Sequence, residues 1–388
     1  MSEELFAALD RALECEPPAS AFDLLIAKFR ESGNYSLLFE ARTMKKRLEL
    51  GLPLIQTEDT SQFPAPVRAA YEQAMVEAAR EAGQLFLANG RIEAGYRYLH
   101  AIGETDSVAA AIEKAEPGDD IDTVIAIAFQ EGVHPVKGLE LILRHHGMCR
   151  AITSFGMYAV RKDRDRCIQL LVRELHGEIV ERMSRVIEQQ EGARPSSTGL
   201  PELMSGRDWL FGDYDYYVDT SHLTSLLPYS LETTDTATLR LYRELCEYGR
   251  HLSANFHFKD RPPFEDGYRD YGSFVDALLG HDVENQISHF RAKAEACDPE
   301  MDGTTAAQVL INLLVRLERP AEALEVFQRF LAAENPAHLQ CPTALQLCHM
   351  AKQYSRLRDL ARERGDILSY TAATLSSRTG DHQGASGH

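Results

Sequence analysis

Apolar residues recur along this chain at helical spacing almost throughout. Between Arg164 and Gln190, the residues Ile168, Val172, Leu175, Ile179, Met183 and Val186 follow one another three or four positions apart. At about 100° per residue they fall on one narrow stripe, so the spacing predicts a long amphipathic helix. The same periodicity runs through 21–48, 67–89, 92–102, 121–130 and 136–149. It returns in 238–252, 274–280, 283–296, 306–317, 321–333 and 343–364. Alternating runs bounded by Asn-Gly or Asp-Gly turns are not evident, and the best strand candidate, 216–218, is too short to seed a sheet. The predicted class is all-α.

Breaks are expected where Pro, Gly and Ser collect: Glu16-Pro17-Pro18, 51–66, Glu116-Pro117-Gly118, 191–206, 259–272 and 297–303. They divide the chain into N-terminal helices (1–60), helical hairpins (61–192), a central insertion with helices and the expected pocket (193–300), and C-terminal helices (301–375). The stretch from Gly192 to Gly199 is the most linker-like. The tail 376–388 is polar and Gly-rich and lacks an apolar period, so disorder is expected there.

Two hairpins share a pattern of small residues. In the first, Gly83 and Phe86 precede the turn residue Gly90, and Ile92, Gly95, Leu99 and Ile102 form the next face. In the second, Leu310, Leu314, Ala323, Phe327 and Phe330 occupy matching offsets before Asn335-Pro336. Small residues where two helices cross, an aromatic at their contact and a closing Pro resemble the tetratricopeptide repeat at 67–105 and 304–336. The usual first-helix Trp is absent, and Glu318 stands where the second turn would carry Gly. The resemblance implies stacked antiparallel helical hairpins, an α-solenoid, with a concave face that engages a peptide or protein segment.

Composition narrows the functional classes. The 388 residues carry 41 Lys and Arg against 59 Asp and Glu, a formal charge of −18, with 44% hydrophobic and 26% charged residues. Those proportions are globular. The acidic excess argues against nucleic acid, whose binding needs clustered cations, and against an anionic membrane surface. The first residues lack the basic start and apolar run of a secretory signal, and a cytoplasmic location is expected. Seven scattered cysteines without a C-x-x-C pair argue against a zinc ribbon or disulfide framework.

Candidate chemistry concentrates in 208–222, which holds the single Trp, three Tyr, one Phe, four Asp and one His. This segment is expected to line the main pocket, with Trp209, Tyr214, Tyr216 and Tyr217 as ligand-binding rings. Asp219 or Thr220 reads as the N-cap of a helix running to Leu227, which places His222 in its first turn beside Asp219. Either Asp219 is a cap and His222 a surface residue, or the carboxylate orients a catalytic imidazole. A second aromatic loop, 256–271, contributes Phe264 and Tyr268. It reads either as a wall over the first patch or as a packed connection. His146 falls mid-stripe in its helix, and His176 and His100 sit at stripe edges. His146, His176, His222 and Asp219 would hold a divalent metal if they converged. Asp213-x-Asp215 begins like a calcium loop, but Val218 and Thr224 occupy the positions that need Gly and Glu. Phosphate-loop, dinucleotide and nucleophile-elbow motifs are missing. The leading expectation is a helical-repeat binding or scaffold protein; the alternative is an all-helical enzyme with a His/Asp pocket, metal-dependent or not.

Overall fold

The computed structural model describes residues 3–55, 59–115, 120–159, 161–298 and 301–383. Among these the chain is all-helical, with no strand. It forms two compact units, Met1–Cys167 and Ile168–His388. The first holds α1 (Glu3–Cys15), α2 (Pro18–Glu31), α3 (Tyr35–Glu49), α4 (Ala65–Ala88), α5 (Ile92–Ala101), α6 (Asp106–Glu113), α7 (Ile121–Ile125) and α8 (Pro135–Met157). The boundary falls within α9 (Arg164–Glu191). The second unit continues with α10 (Leu200–Met204), α11 (Thr220–Leu226), α12 (Thr236–His251), α13 (Gly267–Leu278) and α14 (Val283–Ala296). It ends with α15 (Thr305–Arg316), α16 (Pro320–Phe330), α17 (Ala344–Met350), α18 (Tyr354–Glu363) and α19 (Ile367–Gln383).

In both units most helices pack against the next in sequence: α1 to α6 in one run, α12 to α19 in another. Contacts that skip one helix, α4 with α6 and α13 with α15, join successive pairs. One mechanism ends many of these helices. A residue with positive φ follows the last turn, and the N–H beyond it reaches back five residues, closing the carbonyls the helix leaves open. Asn34 N–H donates to Phe29, Arg91 to Phe86, Arg319 to Leu314 and Gln353 to Cys348, at 2.8 to 3.0 Å. The residue that turns is Gly90 (φ 72°) in the first hairpin and Glu318 (φ 59°) in the second. Glu318 therefore takes the left-handed conformation that the pattern assigns to glycine, at a steric cost of roughly 1–2 kcal/mol.

The small residues of the first hairpin sit at a close helix crossing. A Cβ on Gly83 would lie 2.6 Å from Leu99 Cγ, and one on Gly95 would lie 2.6 Å from Leu87 Cδ2. In α9, Ile168, Val172, Leu175, Ile179 and Met183 are all buried, as the stripe predicts. His176 extends the buried side: its Nε2–H donates to Glu244 Oε2 of α12 at 2.8 Å, and Glu244 also accepts from the Leu200 N–H at 2.9 Å.

Several boundaries differ from the periodicity. The run 21–48 is two helices, split where Gly33 turns (φ 70°), and 343–364 is split at Lys352 (φ 56°). The predicted helix 136–149 extends to Met157 but breaks at Gly147 (φ 80°, ψ 177°). The linker-like stretch 192–199 lies inside the second unit, held by Arg194 on Glu181 and, just beyond it, by Arg207 on Glu191 at 2.6 Å. The tail expected to be disordered carries the end of α19 as far as Gln383, because each added residue of an existing helix gains a hydrogen bond without a new nucleus. Residues 384–388 and the expected break at 116–118 lie outside the described residues.

Candidate functional site

The central block separates into a packed half and an exposed half. Tyr217 is buried: its N–H donates to the Tyr248 hydroxyl at 2.8 Å, and its own hydroxyl donates to the Leu210 carbonyl at 2.9 Å. Burial pushes the Tyr217 hydroxyl up to about 12. Trp209, Tyr214 and Tyr216 are 43%, 79% and 53% exposed, and the Tyr216 ring meets the edge of Phe256 at 5.2 Å. The clefts described below take no wall from 209–222.

Asp219 is the N-cap of α11, accepting the Ser221 N–H at 2.9 Å. The Ser221 hydroxyl and N–H, with a smaller contribution from His222, hold its carboxyl below the ordinary 3.8. The carboxylate is thus engaged by the helix terminus, in line with the capping alternative. His222 is half-buried with Nδ1 enclosed and unbonded. Its position in the first turn matches the sequence reading, and among the described residues its Nδ1 makes no hydrogen bond, to Asp219 or otherwise.

The second aromatic loop is a packed connection. Phe264 is 4% exposed and stacks on Tyr271 at 4.0 Å, and Tyr268 is 1% exposed with its hydroxyl on the Phe256 carbonyl at 3.3 Å. The Tyr268 ring fills the space over Gly249, where a Cβ would come within 2.3 Å. Phe264, Tyr268 and Tyr217 are therefore core residues of the second unit. Their rings gain more from enclosure than a flexible wall would allow.

The expected metal set needs the same correction. Among the described residues no three His, Cys, Asp or Glu are placed to hold a metal ion. His146 donates to Asp122 at 3.0 Å, His176 is spent on Glu244, and His100 lies tilted against Tyr96 at 4.9 Å. His146, expected mid-stripe, is exposed: burial in α8 pauses after Ile142 and resumes only at Ala151, beyond the break at Gly147. His146 and His176 each hold a carboxylate of their own instead of a shared ion.

A candidate binding site lies instead in the first unit, between α3, α4 and α5. Their faces form an open groove of about 700 Å³. Met75, Val76 and Ala79 come from α4, Ala94, Tyr98 and Ala101 from α5, and Phe39 from α3. On both α4 and α5 these positions recur at three- and four-residue intervals, so each set shares one helix face. Most of these side chains are only half-buried, whereas Tyr71, Ala78, Ala82 and Phe86, on the adjoining part of the same broad apolar arc of α4, are buried. Glu72 and Arg97 add charge to the lining.

Rings stiffen the floor of the groove. Phe86 stacks with Tyr98 at 5.6 Å, Phe39 meets Tyr98 edge-on at 5.2 Å, and Tyr35 meets Phe86 edge-on at 5.1 Å. Ion pairs brace its frame: Glu81 of α4 holds Arg30 of α2 and Arg42 of α3, and Arg80 grips Glu104 with two nitrogens. The Arg30 and Arg42 hydrogen bonds outweigh burial and keep the Glu81 carboxyl below its ordinary value. The sequence carried a signal for this groove. The apolar positions of α4, from Ala78 through Phe86 and Met75 to Val76, span an arc broader than one core contact requires. No family model, curated protein or solved structure matches the chain.

Proposed function

We propose that this chain is a helical-repeat binding protein, tetratricopeptide-like in its hairpins, whose first unit engages an amphipathic peptide or protein segment in the α3–α5 groove. The observation that carries the reading is the open groove itself, where Met75, Val76 and Ala79 of α4 stand against Ala94 and Tyr98 of α5. The alanines keep the walls apart, and the rings supply a rigid apolar floor. A segment presenting apolar side chains at helical spacing would bury them there, each worth about 1.5–3 kcal/mol when fully enclosed. The close crossing at Gly83 and Gly95 and the matching turns at Gly90 and Glu318 support the repeat reading.

The test is selection of a displayed library of amphipathic helical peptides against the full chain, repeated with Ala94→Trp. The indole would occupy the groove from its α5 wall. Peptides that bind the native chain and lose at least tenfold affinity for the variant are expected. Binding indifferent to Ala94→Trp, or no enrichment of amphipathic peptides, would remove the assignment.

A further inference from the structure

Three consecutive helices of the second unit, α12, α13 and α14, turn polar faces toward a cleft of about 400 Å³. Within it, Arg243 of α12 and Asp276 of α13 neutralise one another at 2.8 Å, and His281 also reaches Asp276 at 3.2 Å. Arg250 of α12 and Arg269 of α13 also line the cleft. Among the described residues neither makes an ion pair or hydrogen bond. In a chain with 59 acidic against 41 basic residues, guanidiniums left unpaired in a shared cleft are notable. The one carboxylate remaining on the wall is Glu247.

The third wall is preorganised. His289 of α14 donates from Nε2 to Asp270 Oδ1 at 2.8 Å, and Asp270 is 1% exposed. The other oxygen of Asp270 accepts from Lys293 Nζ at 2.6 Å and from the Asp266 N–H at 2.8 Å. With Asp270 engaged and Arg243 paired to Asp276, the charges left on the walls are Arg250, Arg269 and Glu247, an excess of one positive charge. Ser273 of α13 and Gln286 of α14 add neutral donors to the same walls.

We propose that this cleft binds a phosphomonoester dianion. Two guanidiniums against the single carboxylate of Glu247 leave the cleft attractive to an anion, and their forks match phosphate oxygens. Donors arriving from three helices surround a tetrahedral group, whereas a planar, singly charged carboxylate is satisfied by one fork. The cleft volume is within the range of small-molecule sites. The phosphate arrives either on a free small molecule or on a phosphorylated side chain of a protein segment, and the two share this chemistry.

The test is calorimetric titration of the full chain at fixed ionic strength with glycerol 3-phosphate, a phosphoserine octapeptide, its serine counterpart and acetate. Both phosphate probes are expected to bind, with acetate and the serine peptide at least about tenfold weaker. Arg250→Gln and Arg269→Gln should each weaken phosphate binding by about tenfold or more, the size of a lost charge-assisted bond. Arg240→Gln, on the same helix outside the cleft, should change nothing. None of the three should alter thermal unfolding, since among the described residues Arg250 and Arg269 make no hydrogen bond or ion pair. A peptide bound more than tenfold tighter than glycerol 3-phosphate assigns the phosphate to a protein side chain; equal affinities assign it to a small molecule. Phosphate probes no better than acetate, or full binding by both cleft variants, would overturn the proposal.

Discussion

Adding one methyl group at position 83 should destabilise the first unit, although alanine is the better helix former. In an exposed helix, Gly→Ala gains about 0.8–1.0 kcal/mol from propensity. At Gly83 the new Cβ meets Leu99 Cγ at 2.6 Å, with Cδ2 at 3.0 Å and Cδ1 at 3.2 Å. The nearest atom is the branch point of the side chain, and Leu99 is 1% exposed, so no rotamer change clears the contact. Overpacking of this kind costs about 1–3 kcal/mol, and its upper half applies here. The net expectation is a loss of about 1–2 kcal/mol. Gly177 of α9 supplies the control, because its Cβ would meet nothing within 4 Å and its φ is ordinary. Gly177→Ala should stabilise by up to about 1 kcal/mol. Urea unfolding followed by circular dichroism, with hydrogen exchange of α4 and α5 peptides, reads both effects. If Gly83→Ala is as stable as the native chain while Gly177→Ala gains as expected, the close crossing of α4 and α5 is wrong.

Asp219→Ala should cost about 1 kcal/mol in urea unfolding through loss of the α11 cap, with Asp219→Ser recovering most of it. A loss well beyond 2 kcal/mol would mean that the carboxylate does more than cap. Glu244 is pushed up by burial but pulled further down by the His176 and Leu200 N–H groups, to a net position below 4.5. Its contribution is present above pH 4.5 and lost as pH falls through the depressed value. Glu244→Gln should therefore flatten the acid limb of a stability–pH curve; an unchanged limb refutes the linkage. Arg316 donates to the Leu231 carbonyl at 2.9 Å and also to those of Ser230 and Thr233. Arg316→Met should cost about 1.5–3 kcal/mol, and Arg316→Lys should restore only part, as a point donor cannot span three acceptors. Cys15 and Cys149 are exposed while Cys167, Cys246 and Cys348 are buried, so a thiol reagent should label the first pair rapidly and the latter three only on unfolding.

Helix class was legible because burial of one stripe leaves a period that survives any change of neighbour. Val283 to Ala296 is a helix with the bounds its apolar spacing gives. Turns were legible at Gly90 and, through the repeat pattern, at Glu318, but not at Gly33 or Lys352, which split runs whose apolar period continues across the turn. The site was less legible, because aromatic and acidic content does not separate a pocket from a core. Tyr217 and Tyr268 are rich in apolar area, and each found a carbonyl for its hydroxyl inside the fold. The histidines could not be judged by spacing, since Glu244, the partner of His176, lies 68 residues away. Arg250 and Arg269 were equally unreadable: unpaired charge is a property of what lies nearby in space.

Gly147 turns α8 at φ 80° and ψ 177°, a region of backbone space that only a residue without Cβ occupies at low cost. No neighbouring atom lies within 4 Å of the Cβ position, so the requirement is purely torsional, and packing imposes nothing. The direction of the chain from Met148 to Met157 thus hangs on the absence of a single methyl group. Any other residue would pull position 147 toward helical angles and splice the two segments into one straight rod. Ala151, Ser154 and Phe155, now buried, would then be swung out of register with the contacts they make. The glycine acts as a molecular elbow, required for its torsion angles and not for its surroundings.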